Sequence, residues 1–318
     1  MTSIIFMGTP QFAVPILNAL AENGYDILAA VTQPDKPVGR KHTLHASPVK
    51  VAAQALGVPV FQPVKLGKSP ELDELIAMQP DLIVTAAYGQ FLPTRFLDAA
   101  RITAVNVHGS LLPKYRGGAP IQYSVINGDA ETGVTIIQMV KQMDAGGMYA
   151  QAAIPLTRAD DTGTAFDRLS ILGRDLLLQT LPGIIDGTAT MTPQDPERVT
   201  FSPNISKDQE RLDFTLTATE IDQWVRGLRP HVGGWVMLNG QRVKLWAVTP
   251  LDTATEAAPG TVVSVGKKEL VLAAGQGTTL QLDELQPAGK ARQPISAYMN
   301  GAGRQLKVGQ QVIIDGQE

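Results

Sequence analysis

The side chains best suited to chemistry lie in the run Asn106-Val107-His108-Gly109-Ser110-Leu111-Leu112-Pro113, which begins inside the apolar segment 104–107. Side chains alternate along a strand, so Asn106 and His108 are expected on one face. An Asn amide can donate to a developing oxyanion, and a His can move a proton near neutral pH. The pair is therefore suited to acyl transfer without a covalent nucleophile. A hydrogen-bonded interior His beside a turn is the plainer alternative, but the nearby Asn and the strand-end position favour catalysis.

A carboxylate, Asp144, lies in the loop Lys141-Gln142-Met143-Asp144-Ala145-Gly146-Gly147, which follows the apolar segment 134–139. A solvated loop acid is the plainer interpretation. In open α/β sheets, however, ligands bind where neighbouring strands end, and this loop follows such a strand. We therefore expect Asp144 to approach His108 and to fix the tautomer of its imidazole ring.

The composition argues against several competing chemistries. The 318 residues include no Cys, which removes disulfides, thiolate metal sites and cysteine nucleophiles. Ser110 lacks the flanking glycines of a nucleophile elbow, so a serine hydrolase is not favoured. Only four His occur, none in H-x-x-x-H spacing, and we predict no metal site. Gly8-Thr9-Pro10 lacks the later glycines of a dinucleotide-binding turn, which argues against a nicotinamide enzyme.

The elements that must position these residues follow an alternating pattern. Apolar runs predict strands at 4–7, 27–31, 58–61, 82–87, 104–107 and 134–139. Helical spacing and helix-start residues predict helices between several of these strands and a long closing helix over 162–181. Such alternation implies an α/β fold with a doubly wound, mostly parallel, Rossmann-like sheet. His108 then lies at the carboxyl edge of that sheet.

A change of pattern divides the chain into two expected domains, which is what its length suggests. Residues 1–186 form the α/β domain, and 187–204, rich in Pro, Thr, Gln and Asp, form a linker. From 205 to 318, short apolar runs separated by Gly, Asn and Pro predict a small β-barrel.

The formal net charge of −3 argues against a protein coated in basic surface. Positive charge is instead concentrated in the segment 33–50, whose cations include Lys36, Arg40, Lys41 and Lys50 and whose only acid is Asp35. Such a run is usually a solvated face, but beside an active site it could bind nucleic-acid phosphates. The first residues lack a basic n-region and a long apolar run, so we expect a cytoplasmic protein with no membrane partner.

The run 106–113, with Tyr115-Arg116-Gly117-Gly118-Ala119-Pro120-Ile121-Gln122 after it, resembles the signature of the formyltransferases that use 10-formyltetrahydrofolate. The resemblance covers nearly the whole chain and includes Phe6-Met7-Gly8-Thr9-Pro10, Lys36-Pro37-Val38-Gly39-Arg40, Ala87-Tyr88-Gly89-Gln90 and Arg226-Gly227-Leu228-Arg229-Pro230. Within that family, the chain is most similar to the members whose acceptor is initiator methionyl-tRNA.

The resemblance implies a formyltransferase domain followed by an OB-like β-barrel, both contacting the tRNA. Asn106, His108 and Asp144 match the family's catalytic trio, and Ser110, Leu111, Leu112 and Pro113 match its folate-binding stretch. Arg40, together with Lys41 and Lys36, matches the loop that approaches the acceptor stem. The implied reaction is attack by the methionyl α-amine on the formyl carbon carried by the folate, without a metal. We also expect a monomer.

Several positions depart from the family pattern. Lys41-His42-Thr43 follows Arg40 where Gly and a Lys pair are common, so we expect a weaker or more pH-sensitive grip on RNA. Ala145-Gly146-Gly147 replaces the usual Thr-Gly-Asp after the catalytic acid, which leaves open what supports Asp144. Phe214 and His231 stand where Trp is common.

Other functions remain open on the same core. The formyl acceptor could be glycinamide ribonucleotide or a nucleotide sugar, or the enzyme could hydrolyse formyltetrahydrofolate. The basic loop around Arg40 favours tRNA over all three, and the first class usually lacks a C-terminal barrel. An RNA-binding module with a degenerate enzyme domain is the alternative from another class. The joint presence of Asn106, His108 and Asp144 speaks against it.

Overall fold

A computed structural model describes residues 1–38 and 43–313 of the chain. It separates into two units. The first contains Met1–Ile121, Glu131–Pro155 and Phe166–Pro203, and the second contains Gln122–Ala130, Leu156–Ala165 and Asn204–Glu318. Two short segments from the first half of the chain thus group with the second unit. The domain boundaries predicted from the sequence, 1–186, 187–204 and 205–318, stay a prediction.

The first unit is built on a seven-stranded sheet with two short extra strands outside it. In chain order the strands are β1 (Ser3–Gly8), β2 (Asp26–Val31), β3 (Lys36–Val38), β4 (Thr43–His45), β5 (Val60–Phe61), β6 (Leu82–Ala86), β7 (Thr103–His108), β8 (Glu131–Gln138) and β9 (Met148–Pro155). The sheet order is β5-β2-β1-β6-β7-β8-β9. The pairs from β5 to β7 are parallel, and β8 and β9 add two antiparallel strands at one edge. The predicted doubly wound, mostly parallel sheet is confirmed.

Six α-helices lie in the described residues before position 187, and most of the fifth and the first four residues of the sixth belong to the second unit. They are α1 (Val14–Glu22), α2 (Pro48–Ala55), α3 (Glu71–Ala77), α4 (Thr94–Leu97), α5 (Pro120–Ile126) and α6 (Thr162–Asp186). The start of α2 follows its sequence signals, because the Ser47 hydroxyl accepts from the Lys50 amide and Pro48 takes the first helical position. The closing helix, expected to end at 181, continues through Pro182 to Asp186, since one proline removes only one helical hydrogen bond.

The burial of the central strands explains why they could be predicted from the sequence. Every residue of β1 and β6 is buried, as expected for parallel strands covered on both faces. The β3 and β4 strands, by contrast, pair with each other inside the segment expected to be a polar loop. Three-residue strands are too short to show the apolar periodicity by which strands are predicted.

The second unit is an antiparallel β structure with two helices. Its elements are α7 (Ala218–Leu228), β10 (Gly234–Leu238), β11 (Gln241–Leu251), β12 (Val262–Gly266), β13 (Glu269–Ala273), β14 (Thr279–Pro287), β15 (Gln293–Pro294) and α8 (Ile295–Met299). The strand order is β10-β11-β14-β13-β12, with β15 on β14. Residues 311–313 bridge to Leu238 at one edge and Thr261 at the other, which closes the sheet into a small barrel. None of the helices in the described ranges is long and apolar enough to cross a membrane.

Candidate active site

Asn106 lies near the end of β7 with its amide orientation set by a neighbouring strand. The Thr85 hydroxyl of β6 lies 2.8 Å from Asn106 Oδ1 and donates to it. Because the carbonyl oxygen of the amide is held there, Nδ2 faces the other way, 3.5 Å from Asp144 Oδ1. A preorganised amide donor is therefore presented at the carboxyl edge of the sheet, where a developing oxyanion would need it.

His108 is the last residue of β7, and its side chain is only 5% exposed. Its Nε2 lies 3.0 Å from the Tyr115 carbonyl oxygen. A carbonyl only accepts, so Nε2 carries the proton, and in the neutral ring Nδ1 holds the free lone pair. Nδ1 lies 3.7 Å from Asp144 Oδ1, too far for a hydrogen bond. The tautomer that we expected Asp144 to fix is thus held by Tyr115, and Nδ1 is the nitrogen available to take up a proton.

Asp144 occupies the loop between β8 and β9 and is half-buried, with a left-handed backbone at φ 51°. Its Oδ2 accepts a 2.9 Å hydrogen bond from the Gly117 amide. Its Oδ1 faces both the Asn106 amide and the His108 ring. β8 runs antiparallel to β7 with Gln138 opposite Val105, so the end of β8 lies away from the end of β7, and the loop after β8 brings Asp144 back to Asn106 and His108.

The stretch 110–113 is the turn that follows His108, and its polar groups are bonded within the unit. The Ser110 hydroxyl, 1% exposed, donates to the Lys114 carbonyl at 2.6 Å. The Thr135 hydroxyl of β8 donates to Ser110 O at 2.7 Å and accepts from Leu112 N at 3.1 Å. Gln151 Nε2 donates to Leu112 O at 2.8 Å. Leu112 and Pro113 are buried, whereas Leu111 is partly exposed. The turn is therefore a rigid wall with an apolar side chain on it.

The basic segment is only partly described. Lys36 lies in β3 and is exposed, while Arg40 and Lys41 lie outside the described residues. Lys50 Nζ is 2.7 Å from Asp35 Oδ2, so this cation is neutralised within the segment. Hydrogen bonds from Gln62 and from Lys50 hold the pKa of Asp35 below its ordinary value.

Two polar residues that the sequence analysis did not single out contact the Asp144 loop. Arg116 is 7% exposed, and its guanidinium binds the Gln194 side-chain oxygen. Gln194 Nε2 then donates to the carbonyl oxygens of Asp144 and Gly146. Gln194 lies in the segment expected to be a linker, where no local pattern distinguishes it. Arg116 lies in the family-like motif, but its type alone does not indicate burial.

Among residues 1–38 and 43–313, no three His, Cys, Asp or Glu side chains lie close enough together to hold a metal ion. The functional groups are a neutral amide donor, an imidazole with a free nitrogen and a carboxylate, placed where ligands bind in doubly wound sheets. Such groups act on an acyl carbon by oxyanion stabilisation and proton transfer.

This fold and site define a formyl transferase. The family model described as formyl transferase matches residues 1–181, and that of the formyl transferase C-terminal domain matches 204–303. Methionyl-tRNA formyltransferases of Lacticaseibacillus casei and Latilactobacillus sakei are 68% and 61% identical to the chain over 318 residues, with 100% of both chains covered in each case. The chain belongs to the methionyl-tRNA formyltransferase family.

Solved structures share the fold at much lower identity. A sugar 3N-formyl transferase, WlaRD, matches with a TM-score of 0.67 and 16% identity, covering 92% of this chain and 99% of that one. An N-formyltransferase of Helicobacter canadensis matches with a TM-score of 0.66 and 16% identity, covering 90% and 100%. Both were solved with a folate compound, 5-N-formyl-THF in the first and folinic acid in the second.

Proposed function

We propose that this chain transfers the formyl group of 10-formyltetrahydrofolate to the α-amino group of initiator methionyl-tRNA. The observation that carries the proposal is full-length similarity to methionyl-tRNA formyltransferases, at 55–68% identity in eight relatives, joined to the geometry of Asn106, His108 and Asp144. We further propose that the protein acts as a monomer in the cytoplasm, where charged tRNA is used.

The three side chains divide the work of the reaction. The folate supplies the formyl group, and the attacking amine belongs to the methionyl ester. Asn106 Nδ2, fixed by Thr85, donates to the oxygen that gains negative charge when the amine adds. His108 Nδ1 takes up and returns the proton that must leave the amine and reach the departing nitrogen. Asp144 stabilises the positive charge that this proton brings to the ring.

The turn 110–113 is proposed to hold the folate, and its structure suits contact with the face of a flat ring. Its hydroxyl and several backbone groups are already satisfied by Thr135, Gln151 and its own chain, so binding need not desolvate them. Leu111 is left as a partly exposed apolar contact. The turn directly follows His108 in the chain. A folate held against it would carry its formyl carbon beside the His108 ring.

The tRNA is proposed to meet two cationic sites. One is the β3–β4 segment, with Lys36 on it and Arg40 and Lys41 beyond the described part. The other is on the barrel, where Arg211 and Arg242 lie 5.7 and 4.1 Å from the ring centre of Trp235. Neither guanidinium has a carboxylate within 4.0 Å among the described residues, so both charges are available for phosphates. A barrel of zero net charge can bind RNA through such placed residues.

The direct test is an assay with purified protein, 10-formyltetrahydrofolate and charged tRNA. Initiator and elongator methionyl-tRNA are compared in parallel, with a nucleotide amino sugar as an alternative acceptor. We expect formyl-methionyl-tRNA from the initiator and much slower transfer to the other two. Transfer to the sugar but not to tRNA would overturn the proposed acceptor while keeping the proposed chemistry.

A further inference from the structure

The catalytic acid has an unusual backbone that something must hold. Asp144 has φ 51°, in the left-handed region that costs energy for a residue with a Cβ and persists only when its surroundings enforce it. The residues after it, Ala145-Gly146-Gly147, contain no side chain that could do so by hydrogen bonding. Gly146 is packed so tightly that an added Cβ would lie 1.8 Å from the Gln138 carbonyl oxygen. Backbone hydrogen bonds within the loop, from Ala145 N to Gln142 O at 3.3 Å and from Gln138 N to Gly147 O at 2.9 Å, hold it in part, and its side-chain support comes from elsewhere in the chain.

Gln194 provides this support from 50 residues away in sequence. Its Nε2 donates to Asp144 O at 2.7 Å and to Gly146 O at 2.9 Å, so one amide group bonds both sides of the loop. The orientation of that amide is not arbitrary. Arg116 Nε and Nη2 bind Gln194 Oε1 at 3.0 and 2.8 Å, and a guanidinium can only donate. The oxygen must therefore face Arg116, and the donor must face the loop.

Arg116 is itself fixed, because its backbone is hydrogen-bonded to the same segment that carries Gln194. Its amide donates to Thr200 O at 2.9 Å, and its carbonyl accepts from Ser202 N at 2.8 Å. The same segment also supports His108 indirectly. The Tyr115 amide donates to Thr200 Oγ1, and the Tyr115 carbonyl accepts from Nε2 of the His108 ring. One stretch of chain, residues 194–202, thus contacts the supports of both the acid and the imidazole.

We propose that Gln194 is a positioning residue for Asp144, and that Arg116 sets the direction of its amide. The proposal rests on the formyl transfer proposed above and adds a role for a segment that its composition marks only as a connector. Gln194 does not touch the reacting atoms. It acts by keeping the Asp144 carboxylate between the Gly117 amide and the pair formed by Asn106 and His108.

The sharpest variant is Gln194→Glu, which keeps the length of the side chain and can pair with Arg116 but cannot donate to either carbonyl. We expect kcat for formyl transfer to fall roughly 10- to 100-fold, as a displacement of about 1 Å can do, with KM for folate and tRNA within about twofold of wild type. Gln54→Glu, at an exposed position of α2, controls for the added charge. Gln194→Met, which also lacks a donor, replaces it if thermal melting shows that Gln194→Glu is not folded.

Two measurements separate positioning from general damage. In an Asp144→Asn background, the Gln194 change should lower the single-turnover rate by less than about twofold, because its effect passes through the carboxylate. Hydrogen exchange at the Gly117 amide should become at least about tenfold faster in Gln194→Glu, since Asp144 no longer holds it. An unchanged kcat, or an equal loss in both backgrounds, would overturn the proposal. If wild type does not formylate methionyl-tRNA, the proposed acceptor fails, and the exchange rate alone decides the role of Gln194.

Discussion

At the scale of single residues, the site depends on which atoms already have partners. The Thr85 hydroxyl donates to the oxygen of the Asn106 amide, and the Tyr115 carbonyl accepts from Nε2 of His108. The other polar atom of each side chain, Nδ2 of Asn106 and Nδ1 of His108, faces Asp144. Thr85 and Tyr115 therefore orient the two groups that we propose as the oxyanion donor and the proton acceptor.

The Thr85 hydroxyl gives the first residue-scale prediction. Thr85→Val keeps the shape of the side chain but frees the Asn106 amide to turn its oxygen toward the oxyanion position. We expect kcat to fall about 10-fold, less than the roughly 10²- to 10³-fold for outright loss of an oxyanion donor because the amide itself remains, with both KM values little changed. Steady-state kinetics with Thr103→Val of β7 as the control would measure this. A kcat within twofold of wild type would show that Thr85 does not orient the amide.

At the scale of elements, β8 serves the site through one buried threonine. Thr135 pairs with His108 across the two strands, and its hydroxyl joins Ser110 O, Leu112 N and Gln151 Nε2. This hydroxyl, together with Gln151 of β9, ties the turn 110–113 to the sheet. The shape of the proposed folate wall is therefore a property of the β7–β8 pair.

We predict that Thr135→Val raises KM for the folate several-fold while leaving KM for tRNA near its wild-type value. The change leaves buried Ser110 O and Leu112 N without their partner, which also costs about 1–3 kcal/mol of stability. Thr132→Val on the same strand is the matched control, because the Thr132 hydroxyl has no hydrogen bond among the described residues. Folate titration and thermal melting of both variants give the comparison. Equal effects of the two changes would assign Thr135 to general packing.

At the scale of the whole molecule, charge placement matters more than net charge. The chain carries a formal charge of −3, yet within the part of the chain that the structure describes no carboxylate lies within 4.0 Å of Arg211 or Arg242. Arg242→Ala should raise KM for tRNA several-fold, leave KM for folate unchanged and lower the salt dependence by about one unit of log–log slope. Lys268→Ala, an exposed cation on the turn between β12 and β13, is the control. Identical salt slopes for Arg242→Ala and wild type would remove Arg242 from the RNA surface.

Much of the fold could be predicted from the sequence, but the contacts that support the site could not. The order of the buried strands and the placement of Asn106 and His108 together were predictable, because apolar runs mark covered strands and the two residues share a face at a strand end. The contacts that hold Asp144 and His108 in place could not be predicted. Asp144 and Tyr115 adopt positive φ without being glycine, and Gln194 meets the acid across 50 residues. Contacts of that kind depend on the folded chain and leave no local pattern.

The central claim is that the Asn106, His108 and Asp144 site performs formyl transfer to methionyl-tRNA. The most direct measurement is the single-turnover rate of formyl transfer by His108→Ala, compared with wild type at saturating folate and initiator methionyl-tRNA. With the fold verified by thermal melting, the account predicts a loss of about 10²- to 10⁴-fold, the usual contribution of general acid–base catalysis. A folded His108→Ala protein that transfers the formyl group at the wild-type rate would contradict it.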